Sequence, residues 1–92
     1  MSAAVVVLQR ATDLVGGDRA RQHGDKKDNF ARIAAVWNGV LQAAGKAGAP
    51  LDAHDVCNLM EAMKIARRYS GSLNMDDYID GAGYAGCAYE VA

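Results

Sequence analysis

The chain has 92 residues, a length that predicts one domain over residues 1–92 with a single small core. Although 51% of the residues are apolar, only one Phe, one Trp and four Tyr offer large surfaces, so we expect a thin core and a homo-oligomer that buries more surface. The net charge of -1 provides no basic field to attract DNA or RNA, and we expect neither as a partner.

The N-terminal segment and the cysteines carry no sign of secretion. The first ten residues are apolar over too short a stretch to span a membrane, and they lack the basic start and the cleavage site of a secretory signal. Cys57 and Cys87 form neither a Cys-x-x-Cys motif nor a zinc-binding spacing, so we expect reduced, partly buried thiols. We therefore expect no membrane partner and a cytoplasmic location in a bacterial host cell.

The first two predicted helices are separated by a polar segment. Apolar residues from about 3 to 15 predict a helix that the following glycines end. Residues 17–27 are mostly polar and predict a loop or a fraying helix end. Apolar side chains then recur at i, i+3, i+4 and i+7 over residues 30–44, which predicts a second helix capped by Asp28 or Asn29.

The last two predicted helices form an antiparallel hairpin over about residues 53–90. Asp52 is the expected cap of the third helix and Asn74 that of the fourth, joined by a short Ser-Gly-Ser connection. The expected core residues of the two helices are Val56, Leu59, Met60, Met63 and Ala66, then Met75, Ile79, Ala82, Gly86 and Tyr89. The predicted fold class is all-α, a small four-helix domain. Glycines in the fourth helix indicate close approach of another helix or of a ligand.

Charged and aromatic side chains on this hairpin are the strongest candidates for a site. The residues in question are Lys64, Arg67 and Arg68 on the third helix and Asp77, Asp80 and Tyr84 on the fourth. Helical spacing places each set on one face, and an antiparallel hairpin brings the two sets together. Three interpretations are compatible with this pattern: ion pairs between helices, a pocket whose cations bind phosphate, or a magnesium site built from carboxylates.

Three further residues are candidates for ligand binding. Lys26 and Asn29 lie where a polar loop enters the second helix, and the lysine and backbone N–H groups there can hold phosphate. A solvated loop is the more common role for such a segment. Trp37 lies on the apolar stripe of the second helix, where packing in the core is the more common role and stacking on a base is the alternative.

The spacing of the hairpin's charges resembles that of magnesium-dependent nucleoside triphosphate pyrophosphohydrolases of the MazG-like all-α class. Those enzymes carry Glu-x-x-Glu on one helix and Glu-x-x-Asp on the next. Here Glu61-x-x-Lys64 and Asp77-x-x-Asp80 stand in these positions. The resemblance implies a MazG-like hairpin, with Glu61, Asp77 and Asp80 as the ligands if Mg²⁺ binds. Lys64 replaces a metal-binding Glu, and its positive charge opposes a metal ion there.

A second resemblance extends over about residues 19 to 90. The chain is similar to small phage and prophage proteins of the DUF6378 type, with His23 in place of the usual tyrosine. The matching blocks are Gly24-Asp25, Asn29-Phe30, Ile33-Ala34, Trp37, Asp55-Val56, Lys64-Ile65-Ala66-Arg67, Asp77, Asp80 and Gly83-Tyr84-Ala85. This resemblance implies a shared fold and a phage setting, and implies no particular activity.

The cation cluster, with Lys64 in place of a metal ligand, and the phage setting together lead us to expect a phage-type protein that captures a phosphate-bearing nucleotide through the Lys/Arg cluster. We expect no catalytic residue and no required cofactor. Small phage proteins that bind nucleotides without cutting them act as sponges for host immune signals, which would make this an anti-defence protein. The alternative is a divergent, Mg-dependent MazG-like pyrophosphohydrolase of phage nucleotide metabolism. Product formation with Mg²⁺ or Mn²⁺, compared with binding in EDTA, distinguishes the two hypotheses.

Overall fold

The computed structural model describes residues 2–17 and 25–92, and this part of the chain contains helices and no strand. The helices are α1 (Ala3–Gly16), α2 (Lys26–Ala43), α3 (Ala53–Arg67) and α4 (Met75–Val91). The predicted all-α fold and the α3–α4 hairpin are therefore confirmed. Most of the polar segment predicted as a loop, together with His23 and Gly24, lies outside the described residues.

Helix α4 is the centre of the arrangement. It packs mainly against α3 and α1, and α3 packs in turn against α2. Gly81 lies at a close contact, since a Cβ there would lie 2.5 Å from Nη2 of Arg68, the C-cap residue of α3. A Cβ at Gly83 would lie 3.5 Å from Val15 on α1, an ordinary van der Waals distance. Gly86, predicted from the same reasoning, has nothing within 4 Å of its Cβ position.

The helix N-termini follow local capping rules. Asp52 accepts a hydrogen bond from the backbone N–H of Asp55, and Asp55 accepts one from the backbone N–H of Asp52, which forms a complete capping box at α3. Asn74 caps α4 by accepting from the N–H of Asp76, as predicted. The predicted cap of α2 was wrong: Asp25 accepts from the N–H of Asp28, so the helix begins three residues earlier.

The core is small and consists mostly of small side chains. Its buried cluster comprises Phe30, Ala34, Ala53, Val56, Cys57, Cys87, Ala88 and Val91. The predicted apolar face of α3 was partly wrong, because Leu59 and Met63 are 45% and 41% exposed. The prediction that Tyr89 of α4 lies in the core was also wrong, because this residue is 88% exposed. Helix α4 has a helix on more than one side, so it buries small residues where a one-sided amphipathic pattern predicts large ones.

Both cysteines are free and buried, in agreement with the expected reduced thiols. Burial raises the pKa of the Cys57 thiol to about 11, with a further contribution from the nearby Cys87. Burial also raises the pKa of Cys87. Both side chains are therefore neutral at physiological pH and behave as small apolar groups of the core.

Candidate functional site

A cavity of about 440 Å³ lies between the four helices. This volume is within the range of about 300–1,000 Å³ that small-molecule sites occupy in proteins. The lining residues are Leu14 and Val15 from α1, Lys26, Asn29, Phe30 and Ile33 from α2, Met60, Met63 and Lys64 from α3, and Asp80, Gly83, Tyr84 and Cys87 from α4. The cavity thus combines a mostly apolar wall with a few charged and polar groups.

Both lysines that line the cavity are paired with carboxylates. Lys64 Nζ lies 3.0 Å from Asp80 Oδ2, and the two side chains are 13% and 26% exposed. Lys26 Nζ lies 3.6 Å from Glu90 Oε2, and these side chains are 22% and 58% exposed. The Lys64–Asp80 pair matches one of the three interpretations of the sequence, in which Asp80 pairs with a cation of the preceding helix. Glu90 and Asp80 thus neutralise the two lysines of the cavity. An anionic ligand therefore has to compete with a carboxylate for each lysine.

The apolar part of the cavity contains two aromatic rings. Phe30 and Tyr84 meet edge to face, with ring centroids 6.5 Å apart and an interplanar angle of 68°. Asn29 is one turn beyond Lys26 on the same face of α2. Its side-chain amide makes no hydrogen bond to another residue within the described ranges. The site therefore offers an amide beside aromatic and aliphatic surfaces.

The two arginines of the predicted cluster do not line the cavity. Arg67 Nε lies 3.3 Å from Oδ1 of Asp77, whose residue is only 4% exposed. This contact lacks hydrogen-bond geometry, because Asp77 Oδ1 has no hydrogen-bond partner among the described residues. Arg68 covers the ring of Tyr78, with its guanidinium carbon 4.4 Å from the ring centroid. Asp77, Arg67 and Arg68 thus hold α3 against α4 in this conformation.

The structure divides the predicted ligand-binding residues into two groups. Lys26, Asn29, Lys64, Asp80 and Tyr84 line the cavity. Arg67, Arg68, Asp77 and Trp37 do not, and Trp37 packs against the buried core cluster.

Sequence reasoning missed Glu90 and Cys87 as well as the apolar lining. A signal for the lining was present, since positions 26, 29, 30 and 33 on α2 and 80, 83, 84 and 87 on α4 each follow i, i+3, i+4 and i+7. These stripes mix polar and apolar residues, and a purely hydrophobic pattern search does not select them.

The three carboxylates considered for Mg²⁺ do not converge. Among the described residues, the group whose ligand atoms lie within 4.8 Å of one another is Asp52, His54 and Asp55, and it does not include Glu61 with Asp77 and Asp80. The Asp52–Asp55 pair is accounted for by the capping box of α3. Asp77 and Asp80 are each engaged with a cation.

The comparison with protein families identifies the relationship of this chain. The family described as Domain of unknown function (DUF6378) matches residues 6–92. The chain belongs to the DUF6378 family. The resemblance noted in the sequence is thereby confirmed at the level of the family.

Two curated relatives are phage proteins. The Gene 55 protein of Mycobacterium phage L5 is 38% identical over 80 residues, covering 87% of this chain and 48% of the relative. The Gene 55 protein of Mycobacterium phage D29 is 35% identical over 85 residues, covering 92% of this chain and 52% of the relative. This DUF6378 chain thus spans about half the length of these relatives. No solved structure matches it.

No helix within the described ranges is both long enough and apolar enough to cross a membrane.

Proposed function

We propose that this protein binds a phosphate-bearing nucleotide in the four-helix cavity and does not hydrolyse it. The observation that carries the proposal is the composition of the cavity. Lys26 and Lys64 lie at a pocket of about 440 Å³ whose remaining wall is largely apolar and includes two aromatic rings. A nucleotide presents a phosphate that attracts cations and a base that prefers an apolar surface, so the two halves of the ligand match the two kinds of lining.

Each polar group has a role in this proposal. The lysines receive phosphate oxygens, and the Asn29 amide donates to or accepts from the base or the ribose. Asp80 accepts a hydrogen bond from a hydroxyl or amino group once the ligand reaches Lys64. Arg67 does not line the cavity, and it has no role in this proposal beyond its ion pair with Asp77.

Binding without hydrolysis is favoured over the MazG-like alternative by the position of Lys64. In the MazG-like alternative, position 64 and Asp80 would both provide ligands to Mg²⁺. Here the Lys64 ammonium group lies 3.0 Å from Asp80 Oδ2, so the carboxylate already pairs with a cation. Asp77 is held against Arg67, and Glu61 does not join the other two carboxylates in one cluster. A Mg²⁺ ion would have to displace Lys64 from Asp80 and Arg67 from Asp77 before these two carboxylates could bind it.

The phage relatives support a setting for this activity. A phage protein that retains a host signalling nucleotide lowers its free concentration, and this requires tight binding and no chemistry. We propose that the protein acts as such a sponge, as an anti-defence protein inside the infected bacterium. We further propose that it does so as a homo-oligomer, since many large apolar side chains remain exposed in the single chain.

Calorimetry in EDTA tests this proposal with a panel of nucleotides: adenosine 5′-monophosphate, nucleoside triphosphates, ADP-ribose and cyclic dinucleotides. We expect at least one to bind.

Lys64→Ala should weaken that binding by about ten- to a hundredfold, because a charge-assisted hydrogen bond is worth about 1.5–3 kcal/mol. Lys64→Glu should abolish it. Lys46→Ala is the matched control, since Lys46 is exposed in the α2–α3 loop and outside the cavity lining. Circular dichroism verifies that each variant keeps its helices.

The same panel tested with Mg²⁺ and Mn²⁺ examines the alternative. We expect no product from any nucleotide. Hydrolysis that is lost in Asp80→Asn and is retained or increased in Lys64→Glu would contradict the proposal, because restoring the acidic motif would then restore a metal site. Absence of binding to every nucleotide of the panel would also contradict it.

A further inference from the structure

The two ion pairs at the cavity differ in strength. Lys64 and Asp80 are 3.0 Å apart and mostly buried, whereas Lys26 and Glu90 are 3.6 Å apart and the Glu90 side chain is 58% exposed. Longer and more exposed pairs are weaker, since water screens the charges and the side chains keep their freedom. Lys26 is therefore the lysine that an incoming anion releases at lower cost.

We propose that Glu90 is an internal competitor for Lys26. Its carboxylate pairs with the lysine in this structure and is displaced by the phosphate of the ligand. This inference rests on the proposed nucleotide binding at the same cavity. It assigns to Lys26 its share of the phosphate oxygens that the proposed function divides between Lys26 and Lys64, and it places the nucleoside against the apolar wall formed by Phe30 and its neighbours. Glu90 then acts as a residue that determines specificity.

Displacement explains how such a site selects phosphate. A ligand carboxylate offers Lys26 the same interaction that Glu90 already provides, so the exchange brings little gain. A phosphate monoester carries a charge of about −1.5 to −2 at pH 7 and three acceptor oxygens, and it therefore binds the ammonium group more strongly. The exposed Glu90 side chain can turn to solvent without being buried unpaired.

Lys26 and Cys87 both line the cavity, and Glu90 pairs with Lys26 without lining it. The pKa of the Cys87 thiol is raised by burial, lowered by Lys26 and raised by Glu90. Since Lys26 is itself part of the lining, a phosphate that replaces the carboxylate at Lys26 binds at the cavity.

Calorimetry with adenosine 5′-monophosphate and with adenosine tests the role of Glu90. In Glu90→Gln the competing charge is removed, and affinity for the monophosphate should rise by about two- to fivefold, the equivalent of an exposed ion pair. Affinity for adenosine should not change, since it has no phosphate. Asp76→Asn is the control, because it removes one negative charge from an exposed position at the other end of α4.

A double variant separates displacement from general charge. In the Lys26→Ala background, Glu90→Gln should no longer strengthen binding of the monophosphate, since the lysine for which the two anions compete is gone. An unchanged or weaker affinity in Glu90→Gln would overturn the inference and leave nucleotide binding standing. A gain that persists without Lys26, or that Asp76→Asn matches, would also overturn it. If the monophosphate binds neither the unmodified chain nor Glu90→Gln, this inference fails, and the panel above decides the proposed function separately.

Discussion

At the scale of single residues, Cys57 shows how burial changes a side chain's chemistry. The residue is fully buried on α3, and the structure shows a free thiol among the core side chains. An anion at this position would lie in apolar surroundings, and for this reason the pKa of the thiol rises from 9.0 to about 11. The thiol thus stays protonated in the folded protein under conditions in which an unfolded chain begins to lose the proton.

This difference predicts alkaline destabilisation. The folded state binds the Cys57 proton more tightly than the unfolded state does. The resulting contribution to the free energy of unfolding is fully present below pH 9.0 and is lost as the pH rises toward about 11. Urea unfolding at pH 7 and at several values between 9 and 11 measures the effect. Cys57→Ala should show a smaller loss of unfolding free energy over the same interval. An equal loss in both proteins would assign the alkaline transition to other groups.

At the scale of the helix, α3 depends on its capping box. The two reciprocal hydrogen bonds, of 2.8 and 3.0 Å, satisfy backbone N–H groups that the helix itself leaves without a partner. The hydrogen bond from the backbone N–H of Asp55 is also the main reason that the pKa of Asp52 is lowered. Since α3 carries Lys64, Met60 and Met63, the cap fixes the start of a helix that provides one wall of the cavity.

Replacement of Asp52 tests this cap. Asp52→Ala should lower the unfolding free energy by about 0.5–2 kcal/mol, the usual cost of a lost N-cap. Asp52→Asn is the matched control and should keep most of the stability, because asparagine caps as well as aspartate does. Folding lowers the pKa of Asp52 below its ordinary value of 3.8. The ionised carboxylate therefore stabilises the folded state above pH 3.8, and this stabilisation is lost as the pH falls through the lowered pKa.

Thermal or urea unfolding at pH 7 and pH 3 measures both effects. The unmodified chain should lose more stability on acidification than Asp52→Asn does. Equal stability of Asp52→Ala and the unmodified protein at pH 7 would show that the cap is not needed.

At the scale of the whole molecule, the chain leaves much apolar surface uncovered. The exposed large apolar residues are Val5, Leu8, Val36, Val40, Leu59, Met63, Ile65, Tyr69, Leu73, Met75 and Tyr89. The radius of gyration is 14.6 Å, compared with about 12 Å for a compact domain of this length. Its extents of 48 × 31 × 20 Å likewise describe an elongated molecule. A thin layer of helices buries little of its surface, and small proteins of this kind often bury more of it by forming oligomers.

Self-association is therefore the expected outcome in solution. Light scattering coupled to size-exclusion chromatography should give a mass that is a multiple of 9.7 kDa at micromolar concentrations. The apolar surface removed from water drives this association, so the assembly should tolerate moderate salt. A stable species of 9.7 kDa over the same concentration range would contradict the prediction.

The helices can be recognised from the amino-acid sequence, because their signals are local. Caps such as Asp52 and Asn74 act within three residues, and apolar periodicity acts within one or two turns, so both can be recognised without tertiary contacts. The family relationship was likewise present in the sequence. The start of α2 was missed because Asp25 and Asp28 offer competing caps in one polar segment.

Which charges meet, and where the cavity lies, depends on how the helices pack against one another. Lys64 and Arg67 are three residues apart, yet one lines the cavity with Asp80 while the other pairs with the buried Asp77 outside it. That outcome depends on how α3 is rotated about its axis when it packs between α2 and α4. The Lys26–Glu90 pair joins residues far apart in sequence. Such contacts exist only after α2 and α4 have come together, so no local pattern encodes them.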